Sequence, residues 1–325
     1  MHSIDAIQLP LRHVGSVNAW LLRGDPLTLV DAGPRNDEAL AALEAGLREH
    51  GVRLEDIELL IGTHHHLDHV GLFATVARRS GAQVAVLDAL ADYGSEYERR
   101  AARERAFSRA LMAAHGVPDQ VIADNEGFWD YISDNSESFG TDIRLVEGDV
   151  IHAGGRDVRV VLRPGHSTTD TLLVDDESSV AFVGDHVLAG ISSNTEIYPG
   201  PGEQRLRPRA RANYIEGLRK TAAMPLQTLL TGHGAPVKRH KDLIQRRLVE
   251  HNRRSERIAA VLEPGPKTAY CVAHELWPAR MVREQPLLVL WEVLGHLDLL
   301  LSTDVLDEKR SDDGHSLFAL HDVAA

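Results

Sequence analysis

Residues 63–69 read Thr-His-His-His-Leu-Asp-His, so four of the 18 histidines in this 325-residue chain fall within six positions. The pattern His-x-His-x-Asp-His is occupied by His64, His66, Asp68 and His69. An apolar run at 57–61 precedes it and a helical pattern at 71–80, stopped by Gly81, follows it. The cluster is therefore expected on a loop between a strand and a helix. In an extended segment side chains two apart point the same way, so His64 and His66 can grip one ion while His65 points elsewhere. Asp68 and His69 fall where the chain turns into the helix and can face a second ion. Imidazole and carboxylate suit zinc, with iron or manganese as alternatives. A chance run of histidines would not explain Asp68, His69 or the strand before them.

The rest of the chain supplies a frame for that loop. Apolar runs at 19–22 and 27–30 flank Gly24-Asp25-Pro26, which is hairpin chemistry. Residues 36–50 are expected to be helical, with Leu40, Leu43 and Leu47 at helical spacing and Gly51 beyond the end. Further strands are expected at 84–87, 158–162, 171–174, 179–183 and 228–230. Residues 92–140 are rich in charge and alanine and helical in pattern. Tyr93, Tyr97, Phe107, Leu111 and Met112 form one candidate apolar stripe there, and Phe128, Trp129 and Tyr131 a second group. Such an insertion either clamps onto the body or caps a substrate pocket. A Gly/Pro-rich loop at 191–208 leads to a helix at 209–221. Beyond residue 240 a long helix to about 262, two more at 268–277 and 286–301, and a hairpin at 304–321 suggest a winged-helix-like appendage.

The downstream sequence carries three more candidate ligands, each just past an expected strand: His166 in Pro-Gly-His-Ser, Asp185 in Phe-Val-Gly-Asp, and His233 in Gly-His-Gly. The small neighbours allow sharp turns at strand ends. In this order the five motifs resemble the signature of the metallo-β-lactamase superfamily over residues 4–238. The resemblance implies an α/β fold, an αββα sandwich of two mixed sheets flanked by helices. It implies a catalytic domain at 1–238 with a helical cap at about 92–140, and an appendage at 239–325. It assigns His64, His66 and His166 to a first metal, Asp68, His69 and His233 to a second, and Asp185 to a bridge between them, most simply two zinc ions. Asp31, at the end of an early strand, matches an acidic position that orients ligands, and Ser167 is a second candidate for that role. Asp68 is the candidate proton relay. His186, directly after Asp185, and Tyr198 are candidate substrate contacts.

Two metals so held lower the pKa of a shared water toward about 7, which implies a hydrolase. Thioesters are the first expected substrate class, then lactones, because His186, Val187 and Leu188 follow Asp185 where many lactonases of the family carry a tyrosine. Classical β-lactam hydrolysis is disfavoured, since Cys271 is the only cysteine and lies far from the motifs. RNA cleavage is raised by a resemblance of the C-terminal segment to that of the β-lactamase-like protein 2 group. Against it, the net charge is −13, residues 240–325 hold 11 Lys/Arg against 14 Asp/Glu, and the helix at 286–301 has no Lys or Arg. The expected partner is a small molecule, not nucleic acid or a membrane, with the appendage serving packing or a homodimer contact. A noncatalytic sensor on the same fold is the alternative of another class. The first residues show no basic segment followed by an apolar run, so a cytoplasmic location is expected. Cys271 is expected to be buried.

Overall fold

The computed structural model describes residues 3–11, 15–199 and 208–321. Positions 200–207 of the expected 191–208 loop lie outside them. The first sheet runs β1 (Ile4–Leu11), β2 (Gly15–Leu22), β3 (Thr28–Val30), β4 (Leu59–Ile61), β5 (Gln83–Leu87) and β6 (Ile143–Leu145), in that spatial order. Its first three strands are antiparallel neighbours, and β3 to β6 pair in parallel. The second sheet comprises β7 (Val150–Ala153), β8 (Arg156–Leu162), β9 (Thr171–Asp175), β10 (Val180–Gly184) and β11 (Thr228–Thr231). It is antiparallel except for the β10–β11 pair.

Strand alternation explains why these sheets stack. Trp20, Leu22, Val30, Leu59, Ile61 and Ala85 face one way and meet Val158, Val160, Leu173, Phe182 and Leu230 of the other sheet. The intervening positions Leu21, Leu29, Leu60, Val84 and Val86 face outward onto helices α1 (Asp37–Glu49) and α3 (Phe73–Ser80). On the far side Leu172, Val174, Ala181 and Val183 pack against α8 (Ala210–Ala223) and α9 (His240–Val261). The result is the four-layer αββα sandwich, with period-two patterning doing the sorting. Between α1 and α3 lies the single turn α2 (Leu67–Val70), whose start is the histidine cluster. β1, β6 and β7 had no counterpart among the expected strands. All three carry exposed positions among the buried ones, so their apolar signal is weak.

The insertion is helical, as expected, but its apolar residues do not form one stripe. It contains α4 (Asp88–Ser95), α5 (Tyr97–Ala114), α6 (Asp119–Asp124) and α7 (Glu126–Asp134). Tyr93, Tyr97 and Ala101 pack into the first-sheet core. Leu111, Met112, Ile122 and Trp129 instead enter a second core with α10 (Ala269–Leu276), α11 (Ala279–Glu284) and α12 (Pro286–Ser302). The hairpin β12 (Leu306–Arg310) and β13 (Ser316–Leu320) closes that core with Leu306 and Phe318. Insertion and C-terminal helices, read separately from sequence, thus share one apolar body. Cys271 corrects a further expectation: it sits on α10 but is exposed, because Ala269, Val272 and Ala273 form that helix's buried face. Among the described residues no helix is long and apolar enough to cross a membrane.

α12 is buried on nearly all sides, and so carries an ion-pair network instead of a polar face. Glu292 pairs with the fully buried Arg211 of α8 and with Arg254 of α9, and Oε1 lies 3.4 Å from His296 Nε2. Arg211 and its neighbours pull the Glu292 carboxyl well below its usual range against the opposing effect of burial. Removing one partner of such a buried pair leaves a charge stranded, at a cost of about 3–5 kcal/mol. Glu292→Ala is therefore expected to lower unfolding free energy by about that amount in urea titrations; an unchanged midpoint would refute the network's role.

Candidate metal centre

The loops at the carboxyl ends of the strands converge between the two sheets. His64 Nε2 and His166 Nε2 lie 3.1 and 3.0 Å from His66 Nδ1. Beside this triad, Asp68 Oδ2 is 3.2 Å from His233 Nε2 and 3.8 Å from His69 Nε2. Asp185 stands between the two sets. Its Oδ2 is 3.2 Å from His233 Nε2 and 3.8 Å from His166 Nε2, and its Oδ1 is 3.5 Å from His69 Nε2. A four-coordinate zinc ion sets neighbouring donors roughly 3.3 Å apart. The donor atoms of the groups His64/His66/His166 and Asp68/His69/His233 each lie within 4.8 Å of one another. All seven residues singled out as ligands in the sequence are brought together here.

Two buried atoms test whether a cation fits. His69 Nε2 and Asp185 Oδ1 have no hydrogen-bond partner and almost no solvent contact. A buried polar atom left unpaired costs free energy unless something else meets it. Both point into the space the other donors surround, so the residues fit a metal.

Each imidazole is held by its other nitrogen. His64 Nδ1 donates to Thr63 Oγ1 (3.1 Å), which donates to Asp31 Oδ2 (2.8 Å). His69 Nδ1 donates to the same Asp31 oxygen at 2.7 Å. His166 Nδ1 donates to the Asn194 carbonyl (2.8 Å) and His233 Nδ1 to the Ser16 carbonyl (2.7 Å). All four rings therefore present Nε2 to the centre. His66 is turned the other way: its Nε2 pairs with Glu196 Oε2 at 2.9 Å, leaving Nδ1 inward. Such partners fix tautomer and ring orientation. Asp31 reaches its post with a left-handed backbone (φ 59°), which aspartate tolerates better than most residues. Two glycines give the ligands room. A Cβ on Gly232 would lie 2.3 Å from Asp185 Oδ1, and one on Gly184 would lie 2.6 Å from Thr63 Oγ1.

The remaining candidates fall as follows. Ser167 bonds no ligand; its Oγ donates to Asp170 (2.6 Å) and closes the turn that carries Thr169. His65 leaves the ligand set, with Nδ1 against Thr169 Oγ1 (2.9 Å) and Nε2 against the Tyr198 hydroxyl (2.8 Å). Tyr198 Oη also lies 3.3 Å from His66 Nε2, at the cavity wall. His186 does not reach the cavity, contrary to expectation. It is fully buried behind the site, with Nε2 on Thr221 Oγ1 (2.9 Å) and its ring against Tyr214. Burial, aided by Arg163, lowers its pKa to about 3, so it is a neutral core histidine.

Glu196 and Asn194 were not singled out from sequence. A weak signal was present: Glu196 and Tyr198, two apart on a segment without regular structure, both reach His66, whereas Asn194 acts on His166 through its backbone carbonyl.

The charge state of the metal-free protein follows from burial set against carboxylates. Burial, with His69 and His66 nearby, holds His64 well below its usual value. Burial also opposes charge on His233 and His66, but Asp185 and Asp68 raise the first to about 10, and Glu196 raises the second to about 9. At neutral pH these two rings carry protons that an incoming cation must displace. Calorimetric zinc titrations near pH 7 in buffers of different ionisation enthalpy are expected to show proton release. Apparent affinity should rise as pH climbs toward about 9–10. A pH-independent affinity would contradict this. Asp31→Asn keeps the shape but loses the charge behind His69 and His64. It should weaken zinc about 10–100-fold by chelator competition, with the circular dichroism spectrum retained.

The metal-binding loops open onto a cavity of about 360 Å³, lined by insertion helices, the 191–199 segment and α12. With this geometry in hand, comparison with known proteins is informative. The model of the metallo-beta-lactamase superfamily matches residues 12–233. A probable metallo-hydrolase, YqjP, of Bacillus subtilis is 31% identical over 305 residues, covering 93% of each chain. A hydroxyacylglutathione hydrolase of Cereibacter sphaeroides is 27% identical over 72% of this chain and 65% of its own length. The crystal structure of a metallo-beta-lactamase family protein from Thermus thermophilus superposes with a TM-score of 0.82 at 23% identity, covering 98% of both chains.

Proposed function

The chain belongs to the metallo-beta-lactamase superfamily, and from that premise we propose that it is a dinuclear, most simply dizinc, hydrolase of ester-type bonds, with thioesters as its substrates. The observation that carries the reading is the position of the paired donor sets, shared by Asp185, at the floor of a cavity with largely apolar walls. Two bound ions supply an activated water at neutral pH and polarise a carbonyl oxygen. The similarity to a hydroxyacylglutathione hydrolase supports the thioester.

The chain's own residues divide the remaining work. His64, His66 and His166 hold one ion, Asp68, His69 and His233 the other. Asp31 and Glu196 keep three of these rings oriented, and the Asn194 and Ser16 carbonyls the other two. Asp68 lines the cavity beside His69 and His233. It is placed to take a proton beside the reacting carbonyl and return it to the leaving thiol. The walls exclude bulk water from the acyl group. Lactone opening is the second reading, favoured by the Tyr198 hydroxyl in the cavity wall, which can donate to a leaving alkoxide.

A panel of thioesters, lactones and phosphodiesters tests these readings on zinc-loaded protein. Thioester turnover should be lost in EDTA and restored by zinc. Native metal content should be close to two ions per chain. His66→Ala and Asp185→Asn should both reduce turnover to background. Full activity in either variant, or activity indifferent to chelation, would remove the mechanism.

A further inference from the structure

The cavity wall combines two properties that together define what can occupy it. Most of its surface is carbon. Tyr97, Phe128 and Trp129 come from the insertion, Ile197 from the 191–199 segment, and Leu288 and Trp291 from α12. The polar exception is acidic. Glu104 of α5 faces the same space as Glu196, and accepts a hydrogen bond from the Tyr93 hydroxyl at 3.1 Å. Glu196 is already committed to His66. No Lys or Arg belongs to the cavity lining among the described residues.

We infer that this cavity selects an uncharged, apolar acyl group, and that Glu104 and Glu196 turn away acyl groups that carry a negative charge. The inference rests on the hydrolase reading above and names the acyl portion of its substrate. The physical reason is that the wall already strains to hold its own charge. Burial, and then Glu196, push the Glu104 carboxyl up to about 7. A carboxylate held among these aromatic walls would be desolvated beside Glu104 without compensation: the described wall has no Lys or Arg, and the histidines and metals of the floor face the reacting carbonyl instead. A neutral chain meets neither penalty and gains from each apolar surface it covers. The volume of about 360 Å³ lies near the small end of ligand cavities and suits a medium-length or single-ring acyl group rather than a large one. Anionic parts of a thiol carrier would then remain outside, on the leaving-group side.

Two arms separate this inference from the thioester reading. In the first, zinc-loaded protein is given two thioesters of one small neutral thiol, octanoyl and 7-carboxyheptanoyl. The octanoyl ester should be favoured in kcat/KM by at least about tenfold, and Glu104→Gln should narrow that ratio by accelerating the carboxylated substrate. In the second arm no bond is cleaved: octanohydroxamate and 7-carboxyheptanohydroxamate, both anchored on the metals by the hydroxamate, are titrated against zinc-loaded protein by calorimetry. Octanohydroxamate should bind at least about tenfold more tightly, and Trp291→Ala should weaken it while leaving zinc content unchanged. If neither thioester is cleaved but octanohydroxamate is preferred, the thioester reading fails and the selectivity stands. Equal or reversed preference in the binding arm overturns the inference, as does a Glu104→Gln variant with an unaltered ratio in the first.

Discussion

The buried carboxylate of Asp31 is the interaction on which the metal centre depends. It accepts from the Thr63 backbone amide and from Thr63 Oγ1, and its Oδ2 also accepts a hydrogen bond from His69 Nδ1. Three donors on one carboxylate, almost without solvent, tie the end of β3 to both ends of the histidine loop. Through Thr63 the effect extends to His64. One carboxylate thus sets the tautomer of a ring in each donor set, and a loop of small and polar residues becomes a rigid face. Gly184 and Gly232 belong to the same arrangement, because a methyl group at either would displace the atoms that Asp31 indirectly positions.

Much of this was readable in the sequence, for a definite reason. Metal ligation confines several chemically distinctive residues to short segments, and each segment here follows an apolar strand. The strands that bury both faces, β3, β4, β9 and β10, were legible as apolar runs. Strands with exposed positions among the buried ones, β1, β6 and β7, were not. His186 misled because adjacency to Asp185 says nothing about direction: the chain turns at Gly184, and while Asp185 faces the centre the side chain after it faces α8. Cys271 misled because a mostly buried helix still has an outer side.

Glu196 and Asn194 show a different limit. Orientation of His166 is carried by a backbone carbonyl, which any residue supplies, and that of His66 by a carboxylate 130 positions away in a loop without regular structure. Long-range pairing of this kind leaves no local period. What it leaves is a spacing of two between Glu196 and Tyr198, whose side chains both reach His66.

The core shared by the insertion and the C-terminal helices has a consequence for how the molecule comes into being. Leu111, Met112 and Trp129 precede their partners Leu290, Trp291 and Leu294 by roughly 160–180 residues of chain, whereas the sandwich can close without them. During synthesis every candidate metal ligand is made before α12, the last part of the wall. The centre therefore has a period in which it is formed but open on the substrate side, with the insertion's apolar face uncovered. Arrival of α12 ends that period, burying this face and completing the cavity in one event.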